Sequence, residues 1–247
     1  MSSETIYGIH AVASYLHKSP QDCIELICQQ RSSVRLRDLI SQARTAGVKV
    51  REIPRSELDE ICGSDRHQGC VLMVWADKTP VNLPNLLEAV GQKTLFLVLD
   101  GIQDPHNLGA CLRTADAAGV DAVIVPKQRA AKLTASVRKV AAGAAETVPL
   151  IEVINIVRFL EQLKQAGVWV YGACGNSGES IYQQDFNAAV ALVMGGEGDG
   201  LRRLTREHCD HLISLPMLGQ VESLNVSVAT GICLYEIQRA RGACRRA

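Results

Sequence analysis

Three stretches of the chain carry side chains that can do chemistry. Residues 100–119 read DGIQDPHNLGACLRTADAAG. Pro105 stiffens the entry, Asn107 is placed to cap the helix that follows, and Arg113 lies further along that helix, pointing in another direction. Residues 194–203 read MGGEGDGLRR. Gly195, Gly196, Gly198 and Gly200 leave the end of an apolar run bare of side chains, so a ligand can approach the backbone closely. Glu197 sets a carboxylate among these glycines, where it suits a cationic donor such as a sulfonium or a partner arginine. Residues 215–231 read LPMLGQVESLNVSVATG: Pro216 and Gly219 break the chain, and Ser223 and Asn225 open an apolar helix. Either side chain can cap that helix, or orient a ribose hydroxyl or a phosphate at its N-terminus.

Each stretch also has a plain structural reading as a cap or a tight turn. Several chemistries are disfavoured. The glycine loop fails the dinucleotide fingerprint, because Leu201 stands where the third glycine belongs, and it fails the Walker pattern, because no Lys-Ser or Lys-Thr pair follows. This disfavours a nicotinamide-dependent oxidoreductase. The nine cysteines form no C-x-x-C pair, and their odd number forbids complete intramolecular pairing, so buried reduced thiols are expected. His208, Cys209 and His211 lie close together without a second ligand cluster, so no metal is expected.

The elements that position these stretches read as α/β. In residues 1–77, IHAVASYLHKS and SVRLRDLISQARTAG have helical spacing, CIELICQ, KVREIP and CVLMVWA read as strands, and SELDEIC is a short helix with Ser56 as its cap. Residues 78–93 hold two prolines and a short helix and read as a linker. From residue 94, apolar strands (LFLVLD, AVIVP, WVYGAC, AVALVMG, HLISLP) alternate with helices, the last being the long LNVSVATGICLYEIQRARG. That alternation predicts a parallel sheet covered on both faces, with ligands beyond the carboxyl ends of the strands.

Apolar residues make up 47% of the 247, which excludes a disordered chain, and aromatics only 4%, which makes the core aliphatic. No apolar run reaches the roughly 18 residues of a membrane span. The N-terminus lacks a secretory layout, so a cytoplasmic protein without a membrane partner is expected. Net charge is zero, yet basic residues cluster. Residues 31–55 hold seven (Arg31, Arg35, Arg37, Arg44, Lys49, Arg51, Arg55) against two acids, and residues 127–139 hold five (Lys127, Arg129, Lys132, Arg138, Lys139) against none. The tail adds Arg239, Arg241, Arg245 and Arg246. Such patches attract phosphates, although solvated helix faces look the same in sequence.

Together the stretches are far more specific. N-x-G-x-x-x-R at Asn107 to Arg113, M-G-x-E-G-x-G at Met194 to Gly200, and S-L-N-V-S-V-A at Ser223 to Ala229 resemble the SpoU (TrmH-like) family of SPOUT RNA 2′-O-ribose methyltransferases, in order and at typical separations. IYGIHAV and RHQGC resemble that family's N-terminal substrate-binding domain. The resemblance implies an L30e-like RNA-binding α/β domain over 1–77 and, over 94–247, a SPOUT α/β domain with a trefoil knot. It implies methyl transfer from S-adenosylmethionine to the 2′-hydroxyl of a guanosine in 23S ribosomal RNA or a large-subunit precursor, by a homodimer. Under it, Asn107, Arg113, Glu197, Ser223 and Asn225 serve catalysis, Gly195, Gly196, Leu215, Met217 and Leu224 contact the donor, and Arg31, Arg35, Lys127, Arg129 and Lys132 contact RNA. DNA is disfavoured because it lacks the acceptor hydroxyl. The same chemistry on transfer RNA, or a non-catalytic RNA-binding assembly factor on this scaffold, stays open.

Overall fold

The structure, a computed structural model, describes residues 3–30, 33–63, 67–75, 83–175, 179–196, 198 and 200–243. The chain divides into two compact units, residues 1–80 and 81–247.

The N-terminal unit contains β1 (Ser3–Tyr7), α1 (Ile9–Lys18), β2 (Cys23–Gln29), α2 (Val34–Thr45), β3 (Lys49–Ile53), α3 (Arg55–Cys62) and β4 (Cys70–Trp75). Its sheet runs β1-β4-β2-β3, with β2 and β3 parallel and the other pairs antiparallel. Alternation along β2 sends Leu26 and Cys28 to a core with Leu36, Leu39 and Ile40 of α2, and Ile27 to a second core with Leu58 of α3. Two local readings change. β1 precedes the first helix and was not legible as a strand. Pro54, not Ser56, is the N-cap of α3, so its fixed φ rather than a serine hydroxyl starts the helix.

The C-terminal unit begins with α4 (Leu83–Glu88). Leu83, Leu86, Leu87 and Val90, inside the segment read as a linker, pack on this unit's core. There follow β5 (Leu95–Asp100), α5 (Pro105–Ala117), β6 (Ala122–Pro126), α6 (Ala135–Ala141), α7 (Ala144–Thr147), β7 (Leu150–Val153), α8 (Ile156–Gln165), β8 (Trp169–Ala173), β9 (Glu179–Ser180), β10 (Val190–Gly195), α9 (Arg203–Glu207), β11 (His211–Ser214) and α10 (Val226–Ala240). The seven strands order β7-β6-β5-β10-β8-β11-β9, and each pairing is parallel. Leu95, Leu97 and Leu99 face one core with residues of α5, α6 and α10, while Phe96 and Val98 face another with α8. Burial on both faces explains why β5 is apolar without a break. Because the strands are parallel, the segments after β5, β6, β10 and β11 all leave the same rim.

α10 is the element that returns from β11 to the centre of this sheet. It packs along α5 in the same direction: Cys111 Sγ donates to Thr230 Oγ1 at 3.7 Å and Gln238 Nε2 to the Ala118 carbonyl at 2.6 Å. Beyond its end, the Arg241 guanidinium donates to the carbonyls of Phe186, Lys93, Thr94 and Ala188 at 2.7–3.2 Å. This staples the chain end to the entries of β5 and β10. Arg239 is held bidentately by Glu236. Arg239 and Arg241 are thus engaged within this unit, and Arg245 and Arg246 lie outside the described residues.

Candidate active site

Asp104, not Asn107, caps α5, accepting from the His106 N–H at 2.9 Å, with Pro105 opening the helix. That places Asn107 inside the first turn and frees its amide for a longer-range contact. Asn107 is only 7% exposed, and its Oδ1 accepts from Asn225 Nδ2 at 3.1 Å. Asn225 is the N-cap of α10, its Oδ1 accepting from the Ser227 N–H at 2.9 Å. One asparagine pair thus locks the first stretch to the third. It also sets the starts of two parallel helices side by side at the rim, where their partial positive charges favour an anion.

The first stretch is fastened to the second as well. Asp100, at the end of β5, has a fully buried side chain; its Oδ2 accepts from the Arg202 N–H at 3.4 Å. Its Oδ1 lies 3.3 Å from Arg202 Nη1, an ion pair whose angle does not make a hydrogen bond. Sequence reading passed over both residues. An acid closing a wholly apolar strand was the available signal.

Gly195 pairs with Asp100 across the β10–β5 ladder. A Cβ on Gly195 would lie 2.1 Å from the Gly200 carbonyl carbon, and one on Gly196 would lie 2.9 Å from the Gly101 carbonyl oxygen. The space left by these glycines is filled by the chain's own backbone. At Gly195 and Gly196 the missing Cβ atoms let the loop fold onto itself, with Gly200 N donating to Gly196 O at 3.2 Å. Glu197 lies outside the described residues.

The remaining candidates divide by exposure. Arg113 is exposed, and among the described residues its guanidinium makes no hydrogen bond or ion pair. Ser223 is exposed two residues before the helix cap, while Leu215 and Met217 are half-buried, Leu215 against the main core. Leu224 is exposed, and Leu218 is 98% exposed. Among the described residues, the backbone of 215–224 makes no hydrogen bond to other backbone groups apart from the helix start at Asn225. A loop with uncovered leucines, whose backbone meets no other backbone group among the described residues, fits a ligand having an apolar ring and several polar edges.

Of the basic candidates, Arg31 lies outside the described residues and Arg35 is exposed on α2. Three neighbours in that segment are paired: Arg44 with Glu52, Lys49 with Glu25, and Arg51 with Glu25 and Glu57. In the second segment Lys132 pairs with Glu152, and Arg138 with Glu146. Lys127 and Arg129 are exposed on the loop after β6. That loop is tied to the first stretch by Ala131 N donating to the Ile102 carbonyl at 2.8 Å.

The two thiols where α5 packs on α10 are not activated. Burial pushes the Cys111 thiol up to about 11 and Cys233 up to about 12, so both stay protonated at neutral pH. The cluster weighed for a metal is engaged otherwise. His208 Nδ1 meets the Leu204 carbonyl at 2.8 Å, Cys209 Sγ donates to the Thr205 carbonyl at 3.3 Å, and His211 stacks on Tyr171.

A parallel sheet whose rim carries these three interlocked motifs defines a class of RNA-modifying proteins, and comparison with known proteins agrees. The SpoU rRNA Methylase family model matches residues 94–235, and the model described as RNA 2′-O ribose methyltransferase substrate binding matches residues 5–80. The chain belongs to the SpoU rRNA methylase family. It is 54% identical to the 23S rRNA (guanosine-2′-O-)-methyltransferase RlmB of Haemophilus influenzae, over 97% of this chain and 98% of that protein. It is 50% identical to the protein of the same name in Escherichia coli K12, over 97% and 99%. In fold it is similar to the SpoU methyltransferase AviRb of Streptomyces viridochromogenes, crystallised with the cofactor AdoMet. The TM-score is 0.73 at 22% identity, over 98% of this chain and 91% of that one.

Proposed function

We propose that this chain transfers a methyl group from S-adenosylmethionine to the 2′-hydroxyl of a guanosine in 23S ribosomal RNA. The observation that carries the reading is the Asn107–Asn225 bond, which joins two of the three motifs at the starts of two parallel helices. The names of the near-full-length relatives support the substrate.

When bound, the donor supplies a methyl group on a positively charged sulfur, open to direct displacement without a covalent enzyme intermediate. The backbone at Gly195 and Gly196 and the side chains of Leu215, Met217 and Leu224 are the groups suited to hold it, and the absence of backbone partners for 215–224 among the described residues supports that assignment. The protein's remaining tasks are alignment, exclusion of water and relief of the hydroxyl proton. Arg113 holds an RNA phosphate bidentately beside the acceptor ribose. It is not the base, because a guanidinium keeps its proton at physiological pH. An oxygen of that phosphate is the group able to take the proton. Asn107 and Asn225 fix the helix starts, and Ser223 and Glu197 orient the ribose and the arginine. Lys127 and Arg129 contact the RNA backbone near the site. Lys132, engaged by Glu152, contributes less, and Arg31 and Arg35 serve the N-terminal substrate-binding domain.

The reading extends to a knotted C-terminal domain. The return of α10 from β11 to α5, stapled by Arg241, supports it. It also extends to a homodimer, supported by Val228 and Tyr235 standing exposed two turns apart on α10, and to action in the cytoplasm. No helix of the described residues is long and apolar enough to cross a membrane.

Tritiated donor with 23S rRNA from cells lacking the activity, and transfer RNA in parallel, tests the reading. Label in 23S rRNA is expected. Label in transfer RNA alone moves the substrate, and a folded protein that labels neither is a non-catalytic RNA binder.

A further inference from the structure

Every residue of β5 is apolar except its last, Asp100, whose carboxylate is fully buried. Its Oδ2 accepts from the Arg202 N–H at 3.4 Å. Its Oδ1 faces Arg202 Nη1 at 3.3 Å and has no hydrogen-bond partner among the described residues. Taking a carboxylate out of water is costly, and one cation at this geometry returns only part of that cost. Apolar residues of similar volume often fill such a position as well or better. Stability therefore does not account for a charge here.

The shape of the loop after β10 does. Gly195 stands opposite Asp100 in the β10–β5 ladder. The Gly101 carbonyl oxygen lies 2.9 Å from where a Cβ on Gly196 would be, Gly200 N donates to Gly196 O, and Leu201 enters the core beneath. Arg202, the N-cap of α9, then turns back over the first stretch. Its Nη2 lies 3.0 Å from the place of a Cβ on Gly101, whose φ is +88°. The guanidinium therefore lies across Gly101, with its carboxylate partner one residue before. Residues 100–101, 195–196 and 200–202 form one stack, mostly of backbone on backbone. Glycine loses more conformational freedom on ordering than any other residue. A loop of glycines needs a tie from outside itself, and the Asp100–Arg202 pair supplies a polar one.

We propose that the Asp100–Arg202 pair is a positioning device for the methyl donor. It holds the glycine loop in its binding shape beforehand, so that S-adenosylmethionine does not also have to order the loop as it binds. Neither side chain takes part in the transfer; both act through the backbone of Gly195 and Gly196. The inference rests on the methyltransferase reading for the identity of the ligand.

The test titrates S-adenosylmethionine into the full chain by calorimetry. Melting temperature, amide hydrogen exchange of the donor-free protein and methyl transfer to a 23S rRNA transcript are followed in parallel. Asp100→Val/Arg202→Met removes both charges and keeps the site filled. Its melting temperature should not fall, while the Gly200 amide exchanges faster. Donor Kd and KM should rise about ten-fold, equivalent to about 1.4 kcal/mol, with kcat at saturating donor within about two-fold of wild type. Arg202→Lys keeps a cation beside Asp100 and should recover most of the affinity. Arg203→Ala, which breaks the exposed Arg203–Glu207 pair, should change none of these readings. Unchanged donor affinity in the double variant overturns the proposal. So does an affinity loss confined to Arg202→Ala and matched by a lower melting temperature, which marks a merely structural pair. A fall in kcat with donor KM intact also overturns it, because it places the pair in the chemical step. If the wild type binds donor but labels no RNA, and the double variant binds donor more weakly, the pair stands and the methyltransferase reading fails. If methylation proceeds and the variants bind donor like wild type, the reverse holds.

Discussion

The rim of the C-terminal sheet and the end of the N-terminal sheet use the same materials, amides and glycines, in opposite ways. At the rim the amides meet each other: Asn225 donates to Asn107, and the glycines at 195 and 196 bring backbone onto backbone. At the N-terminal end the glycine at 69 lies beneath an amide whose neighbour, Gln30, stays exposed. The first arrangement fixes positions and leaves a rigid frame around a reacting centre. The second sets one amide against a tight turn and leaves its neighbour at the surface. Catalysis by alignment needs the former.

The comparison breaks first at the rim. Arg113→Ala is expected to lower methyl transfer by about 100- to 1,000-fold with donor affinity by calorimetry nearly intact. Near-normal turnover would remove Arg113 from the chemistry. Gly195→Val comes next. The added side chain meets the Gly200 backbone, so the loop itself must open, at a cost of about 1–3 kcal/mol. The melting temperature should fall by several degrees, at about 2–4 °C per kcal/mol, and donor binding should be lost. Gly91→Ala, which adds a Cβ whose nearest neighbour is Thr94 Oγ1 at 4.0 Å, should leave both unchanged. A Gly195→Val protein as stable as wild type would contradict the backbone-filled loop.

Asn225→Ala should cost about 1 kcal/mol through the lost cap and slow transfer about ten-fold. Asn225→Ser restores a capping hydroxyl but is too short to reach Asn107. Its melting temperature should recover while its rate does not, which separates the cap from the interlock. Recovery of both would reduce the Asn107 contact to packing.

The remaining effect is on pH. Burial pushes Cys28 and Cys70 in the N-terminal unit, and Cys209 and Cys233 in the C-terminal unit, up to about 12. These thiols stay neutral when folded but ionise near pH 8.5 when unfolded. The unfolded chain then holds fewer protons, so their contribution is intact below that pH and declines as pH rises toward 12, at up to about 1.4 kcal/mol per pH unit per thiol. Melting temperature should fall between about pH 9 and 10.5, and the slope should be shallower in Cys233→Ala. Equal slopes would mean that this thiol does not govern the alkaline loss.

What sequence could reveal followed the range of the interactions. Strands β5, β6 and β10 were legible because burial on both faces leaves unbroken apolar runs such as 95–99, whereas β9 (Glu179–Ser180) has no such run and was not. Asn225 was legible as a helix start because caps are local. β1 was not, since five residues with little alternation become a strand only by pairing with β4. The misplaced cap of α5 had the same origin in miniature. Asp104 and Asn107 are both good caps by type, and Pro105 at the first helical position decides between them. The reason for Gly195 was hidden because its neighbour in space is Gly200, across a turn that sequence does not draw. The pairing of Asp100 with Arg202 spans the fold and left only a faint trace. Charge was the least legible property. Arg44, Lys49 and Arg51 look like a basic patch in sequence and are matched in space by Glu52, Glu25 and Glu57.

The central claim is that the rim where Asn107 meets Asn225 carries out methyl transfer to a ribose hydroxyl. The most direct measurement maps alkali-resistant linkages in 23S rRNA from cells lacking the activity, after incubation with donor and either wild type or Arg113→Ala. The account predicts one newly protected guanosine with wild type and none with the variant. Equal protection by both proteins, or a methyl group found on a base rather than a ribose, would contradict it.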